Sequence, residues 1–192
     1  MDDADGLQPA PATSAPRRRR RWWWAVPVAL AMVGVGASAA YFSGPHTSGS
    51  TVERHEAAPS FALANLTVGV PEISLTAVGG GPVVLNFWAS WCVPCRREMP
   101  AFEQVHQELG ESVTFLGVNH RDSRDAALAL VAETGISYAS GFDPDGTVAF
   151  DFGLYGMPTT VFIDADGMIV AQHTGELSRE DLRDSIRELF GV

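Results

Sequence analysis

Residues 82–89, Pro-Val-Val-Leu-Asn-Phe-Trp-Ala, form a near-continuous apolar run. A strand that is apolar at both parities is satisfied only between two layers, so this run predicts a central strand buried on both faces of an α/β sheet. The segment that follows, Ser90-Trp91-Cys92-Val93-Pro94-Cys95, turns from that strand directly into a helical pattern over about 93–109. Further runs predict a strand at 113–118 and a helix at about 123–134. Two β runs around Asp164-Ala165-Asp166-Gly167 predict an antiparallel hairpin over 159–174, and Ser178 with Asp181 marks the start of a last helix. Ahead of all this, the short alternating runs at 59–66 and 72–78 predict an N-terminal hairpin. The fold class is therefore α/β, a central mixed sheet built as βαβ, a further helical stretch, then ββα.

The chain holds two cysteines, Cys92 and Cys95. A closed zinc site needs four ligands, and neither a second Cys-x-x-Cys nor a closely spaced His pair accompanies them. A structural staple is a poor use of so small a loop, because little chain entropy is removed from the unfolded state. The pair reads instead as a couple cycling between dithiol and disulfide. Cys92 sits where strand gives way to helix, so unpaired amides and the positive end of the helix dipole stabilise its thiolate. It is expected to be the nucleophile. Pro94 suits a first helical turn, and Cys95, deeper in the helix, is expected to be the resolving thiol.

Glu98 follows one turn after Cys95. On a helical wheel it falls about 60° from Cys95, within the sector that also holds Met99, Phe102, Val105 and Leu109. An acid inside an apolar sector is expected to be buried, with its pKa raised. His106 falls in the same sector and reads as a core histidine. Trp88 and Trp91 flank the pair and suit either a substrate groove or aromatic packing. His120 and Asp122 lie in a loop at the same edge as Cys92 and read as solvated.

The N-terminal segment has a different character. Residues 22–42 are 21 consecutive uncharged, mostly apolar positions, enough to span a hydrocarbon core of about 30 Å. Arg17–Arg21 precede the run and Trp22–Trp24 open it, which favours a cytoplasmic N-terminus and everything downstream outside the cytoplasm. The expected organisation is a disordered cytoplasmic tail at 1–21, a transmembrane signal anchor at 22–42, a linker at 43–57 containing His46 and His55, and a folded domain at 58–192. A cleaved signal peptide ending at Ala37-Ser38-Ala39 competes with the anchor, which is favoured because the run is longer than a usual signal core. Downstream of residue 42, 8 Arg face 20 Asp and Glu. So acidic a domain repels a phosphate backbone, and no nucleic-acid partner is expected.

The stretch VVLNFWASWCVPC, the later Gly156-Met157-Pro158-Thr159-Thr160 and the order of elements together resemble the membrane-anchored TlpA/ResA-like thiol–disulfide oxidoreductases of the thioredoxin superfamily. The resemblance covers roughly residues 58–190. It implies a thioredoxin fold in which Pro158 is cis and faces the disulfide, with Met157 offering its backbone to a substrate strand. Thioredoxin itself carries a buried Asp where this chain has Asn86, whereas Glu98 matches the Glu of TlpA/ResA-type members. The implied activity is reduction of disulfides in exported proteins, such as the haem-attachment cysteines of apocytochrome c or copper-site proteins. Electrons would come from a transmembrane donor, at the outer face of the cell membrane. An oxidase donating its disulfide is the alternative within the class, because the Val93-Pro94 dipeptide leaves direction open. A copper-binding chaperone using the two thiolates is the alternative outside it. No cofactor and no resident metal are expected.

Overall fold

The computed structural model describes residues 49–67 and 69–192. Along the chain lie strands β1 (Gly49–Ala57), β2 (Ala62–Ala64), β3 (Glu72–Ser74) and β4 (Val83–Trp88), then helix α1 (Val93–Leu109), β5 (Thr114–His120) and α2 (Arg124–Thr134). They are followed by β6 (Ala139–Asp143), α3 (Thr147–Asp151), β7 (Thr159–Ile163), β8 (Met168–Gly175) and α4 (Arg179–Phe190). Six strands form one sheet in the order β1-β8-β7-β4-β5-β6. β4, β5 and β6 run parallel, while β7 is antiparallel to both β4 and β8, and β1 is antiparallel to β8. This is the mixed sheet of a thioredoxin fold.

β4 lies inside the sheet with all six residues buried, as its apolar run demands. Its side chains divide by parity. Val84 and Trp88 pack with Cys95, Met99 and Phe102 of α1 and with Leu182 and Ile186 of α4. Val83, Leu85 and Phe87 face the opposite layer, where Phe152, Val148 and Ile73 lie. Fully burying side chains of this size stabilises the fold by about 1.5–3 kcal/mol each. Asn86 shares the parity of Val84 and Trp88 and therefore faces α1.

β2 and β3 pair antiparallel in a separate two-stranded sheet, with Leu63 opposite Ile73. The expected hairpin is present, although the second half of its second run is a single 3₁₀ turn at Leu75–Ala77. The assigned linker is shorter than 43–57, because Gly49–Ala57 form the edge strand β1. Its side chains are almost all exposed, so no buried alternation announced it. The strand is held by its ladder to β8, by Thr51 Oγ1 against His173 Nδ1 at 2.7 Å, and by Arg54, which binds Gln172 and the Phe152 carbonyl. The tail at 1–21, the apolar run at 22–42 and His46 lie outside the described residues. Among the described residues no helix is long and apolar enough to cross a membrane.

Candidate active site

Strand register gathers the site at one edge of the sheet. Phe87 of β4 pairs with Thr159 of β7, and Trp88 pairs with Asn119 of β5. The turn leaving β4, the Met157–Pro158 loop entering β7 and the loop leaving β5 are thus neighbours. Cys92 is the N-cap of α1, and its Sγ accepts the Cys95 N–H at 3.2 Å. Cys92 and Cys95 form a disulfide with a Cα–Cα separation of 5.3 Å. Pro94 occupies the first helical turn, where a missing N–H costs nothing. Cys92 is only 4% exposed and Cys95 is fully covered, so the contrast between the two sulfurs is narrower than the helix start alone implies. Trp91 and Val93, on either side of Cys92, are the exposed groups at 57% and 63%. The Met157–Pro158 peptide is cis, and the Pro158 carbonyl accepts the Gly175 N–H at 3.0 Å.

Glu98 is 1% exposed. Its Oε1 accepts Asn86 Nδ2 at 2.9 Å and its Oε2 accepts the Leu177 N–H at 3.1 Å. Burial pushes its pKa from the ordinary 4.5 up to about 8, and nearby Glu176 adds to the rise, against the opposing pull of the Asn86 and Leu177 hydrogen bonds. Asn86, buried itself, also lies 3.4 Å from Thr160 Oγ1 through Nδ2. An acid that keeps its proton at neutral pH and titrates near pH 8, one turn from a buried sulfur, is equipped to hold or release a proton there.

A groove of about 320 Å³ opens beside this edge, lined by His120, Arg121, Phe150, Tyr155, Gly156 and Met157 among others. Phe150 and Tyr155 are 82% and 71% exposed. Burial lowers the His120 pKa, with Arg121 acting in the same sense and Asp143 against it.

The AhpC/TSA family profile matches residues 55–172. The chain belongs to the AhpC/TSA family. Among curated relatives of this AhpC/TSA chain, the thiol:disulfide interchange protein DsbE of Escherichia coli strain K12 is 38% identical over 112 residues, 58% of this chain and 59% of that protein. The match thus spans under two thirds of that relative's length. The thiol:disulfide interchange protein CycY of Rhizobium leguminosarum is 31% identical over 133 residues, 69% of this chain and 70% of its own. A DsbF homologue from Corynebacterium diphtheriae superposes with a TM-score of 0.65 at 30% identity, covering 77% of this chain and 97% of that one. These likenesses agree with the TlpA/ResA-like character of the sequence.

Of the residues singled out by sequence, Cys92 and Cys95 are joined in the disulfide, Trp91 precedes Cys92 and Glu98 lies one turn beyond Cys95 on α1, and Met157 and Pro158 lead into β7, the neighbour of β4. Trp88 is fully buried in the core, whereas Trp91 stays at the surface and donates its indole N–H to the Arg121 carbonyl at 3.1 Å. His106 packs tilted against Phe115 and edge-on to Tyr138, with ring centroids 5.4 and 5.7 Å apart. Asp122, expected to be solvated, is instead half-buried and accepts hydrogen bonds from Ser90 just before Cys92. Tyr155 and Phe150 were not anticipated either. The only signal for Tyr155 was an aromatic placed three residues before Pro158.

Proposed function

We propose that the chain is an extracytoplasmic thiol–disulfide oxidoreductase that reduces disulfides in exported proteins. The single observation that carries this reading is a redox pair at a helix start with a buried acid, Glu98, one turn behind it and the Met157–Pro158 loop beside it. In the dithiol form the Cys92 thiolate attacks one sulfur of a substrate disulfide, forming a mixed disulfide and expelling the other substrate sulfur as a thiolate. Cys95 then attacks Cys92 Sγ, which closes the Cys92–Cys95 disulfide and releases the substrate with both sulfurs reduced. Glu98 takes the Cys95 proton as that sulfur attacks, and returns it when a donor dithiol reopens the disulfide. Trp91 and the backbone of Met157 flank the sulfur under attack and orient the substrate strand.

Substrates in this reading are exported proteins with paired cysteines, including apocytochrome c or copper-site proteins, in keeping with relatives named as thiol:disulfide interchange proteins. Residues 22–42 anchor the domain in the membrane, and electrons arrive from a transmembrane donor. A Cys95→Ser variant expressed in cells should accumulate mixed disulfides with exported proteins in the membrane fraction, released by dithiothreitol. If Cys92→Ser traps partners and Cys95→Ser does not, the two sulfurs have exchanged roles. If neither variant traps any partner, the reading fails.

A further inference from the structure

The turn that carries Cys92 is held from outside its own helix. One carboxylate does most of this. Asp122 Oδ2 accepts the Ser90 N–H at 2.6 Å and Asn119 Nδ2 at 3.0 Å, while Oδ1 accepts the Ser90 hydroxyl at 2.7 Å and the Ser123 N–H at 2.8 Å. Two flanking bonds brace the same turn, from the Trp91 indole N–H to the Arg121 carbonyl at 3.1 Å and from Arg96 Nη2 to the Ser90 carbonyl at 3.3 Å. Four donors converging on one half-buried carboxylate favour its ionised form. Burial works against that ionisation, but the bonds from Asn119, Ser90 and Ser123 outweigh it and hold the Asp122 pKa below the usual carboxylate range.

We propose that Asp122 is a positioning residue of the redox site, fixing the Ser90–Cys92 turn and placing a permanent negative charge beside it that disfavours the Cys92 thiolate. The inference rests on the oxidoreductase reading and adds a direction to it. The reduced pair is the state that carries the thiolate, so an anion held nearby raises the free energy of the dithiol form relative to the disulfide. The dithiol is thereby made the stronger reductant. Other charges around the turn are compensated or turned elsewhere. Arg96 is paired with Glu133 of α2, Arg97 with Glu176, and Glu98 is bound by Asn86 and Leu177. The Arg121 guanidinium donates to the Asp145 carbonyl at 3.3 Å. A clamp with no electrostatic role would change the stability of the fold but leave the sulfur's titration alone.

Ser90 and Cys92 are two residues apart, a reach of at most about 7 Å between their Cα atoms, so the carboxylate held on Ser90 lies on the order of 10 Å from the sulfur. At that distance, through a medium intermediate between protein and water, one charge changes thiolate stability about fourfold. The test compares reduced wild type, Asp122→Asn and Ser90→Ala, with Asp122→Ser as a second neutral variant should Asn fail to fold. Thiolate ultraviolet absorbance is followed across pH, and the equilibrium with reduced and oxidised glutathione is measured. In that equilibrium the protein dithiol and oxidised glutathione exchange for the protein disulfide and two reduced glutathiones. Asp122→Asn is expected to hold about fourfold more Cys92 thiolate at a given pH below the midpoint. Its exchange constant should move toward the dithiol by up to the same factor. Ser90→Ala, which loses one bond and keeps the charge, should stay within about twofold of wild type in both. An Asp122→Asn protein that unfolds at lower temperature yet titrates and exchanges like wild type overturns the assignment alone, as does a shift toward the disulfide. A wild-type pair that does not exchange with glutathione overturns the oxidoreductase reading and this assignment with it.

Discussion

Replacing Glu98 by Gln removes a proton-binding site while keeping the shape of the side chain, and the consequence can be worked from its surroundings. The folded protein holds the Glu98 proton up to about pH 8, against an ordinary value of 4.5. Because the folded pKa is raised, the native state binds more protons than the unfolded state throughout that window, and stability falls as pH rises through it. The slope approaches about 1.4 kcal/mol per pH unit, and the total loss is on the order of 5 kcal/mol above pH 8. Glu98→Gln should abolish that loss. It carries a separate, pH-independent cost of about 1–3 kcal/mol, because Gln offers one carbonyl oxygen where Glu98 accepts from both Asn86 and Leu177. The variant is therefore expected to be less stable than wild type near pH 4.5 and more stable near pH 8. The assay is denaturant unfolding from pH 4 to 9 on the disulfide form of both proteins, in which neither cysteine titrates. Subtracting one curve from the other cancels the contributions of His120 and His173, whose pKa values burial lowers. A difference between the curves that stays flat from pH 4.5 to 8 refutes a buried, protonated Glu98.

Other outcomes follow from the same geometry. Asn86→Ala removes the hydrogen bond that favours the ionised acid, so the Glu98 titration should move further above its wild-type position, measurable by carboxyl-resolved NMR; a downward move would contradict the role given to Asn86. Phe150→Ser with Tyr155→Ser strips the exposed aromatics from the groove, so KM for a protein disulfide should rise about tenfold or more while turnover of a small-molecule disulfide is unchanged. Equal losses on both substrates would show that the groove does not seat the protein substrate.

Much of this was legible in the sequence because it depends on short-range periodicity. Apolar residues at both parities placed β4 in the middle of the sheet, and the 3.6-residue period of α1 put Glu98 among Met99, Phe102 and Val105. Strand β1 was not legible, since its side chains face solvent and its stability comes from the ladder to β8, more than a hundred residues away. β6 was hidden for a related reason. Ala-Ser-Gly-Phe-Asp has weak strand propensity, and the parallel register with β5 gives it its form. Asp122 could not be assigned because its contact with Ser90 spans 32 residues and exists only once Trp88 and Asn119 are in register. The groove likewise needs the loops after β5 and before β7 to meet. Local chemistry was readable where one element supplied it, and unreadable where two strands had to align first.

The reduction potential of the Cys92–Cys95 couple tests the central claim most directly, by equilibrating the pure domain with glutathione or dithiothreitol buffers and counting free thiols. Reduction of exported disulfides requires a couple near the reducing end of the thioredoxin-fold range, close to roughly −270 mV. An Asp122 anion that disfavours the Cys92 thiolate pushes it in that direction. A potential near roughly −120 mV, where the disulfide is the reactive form, would contradict a reductase and assign the same geometry to an oxidase.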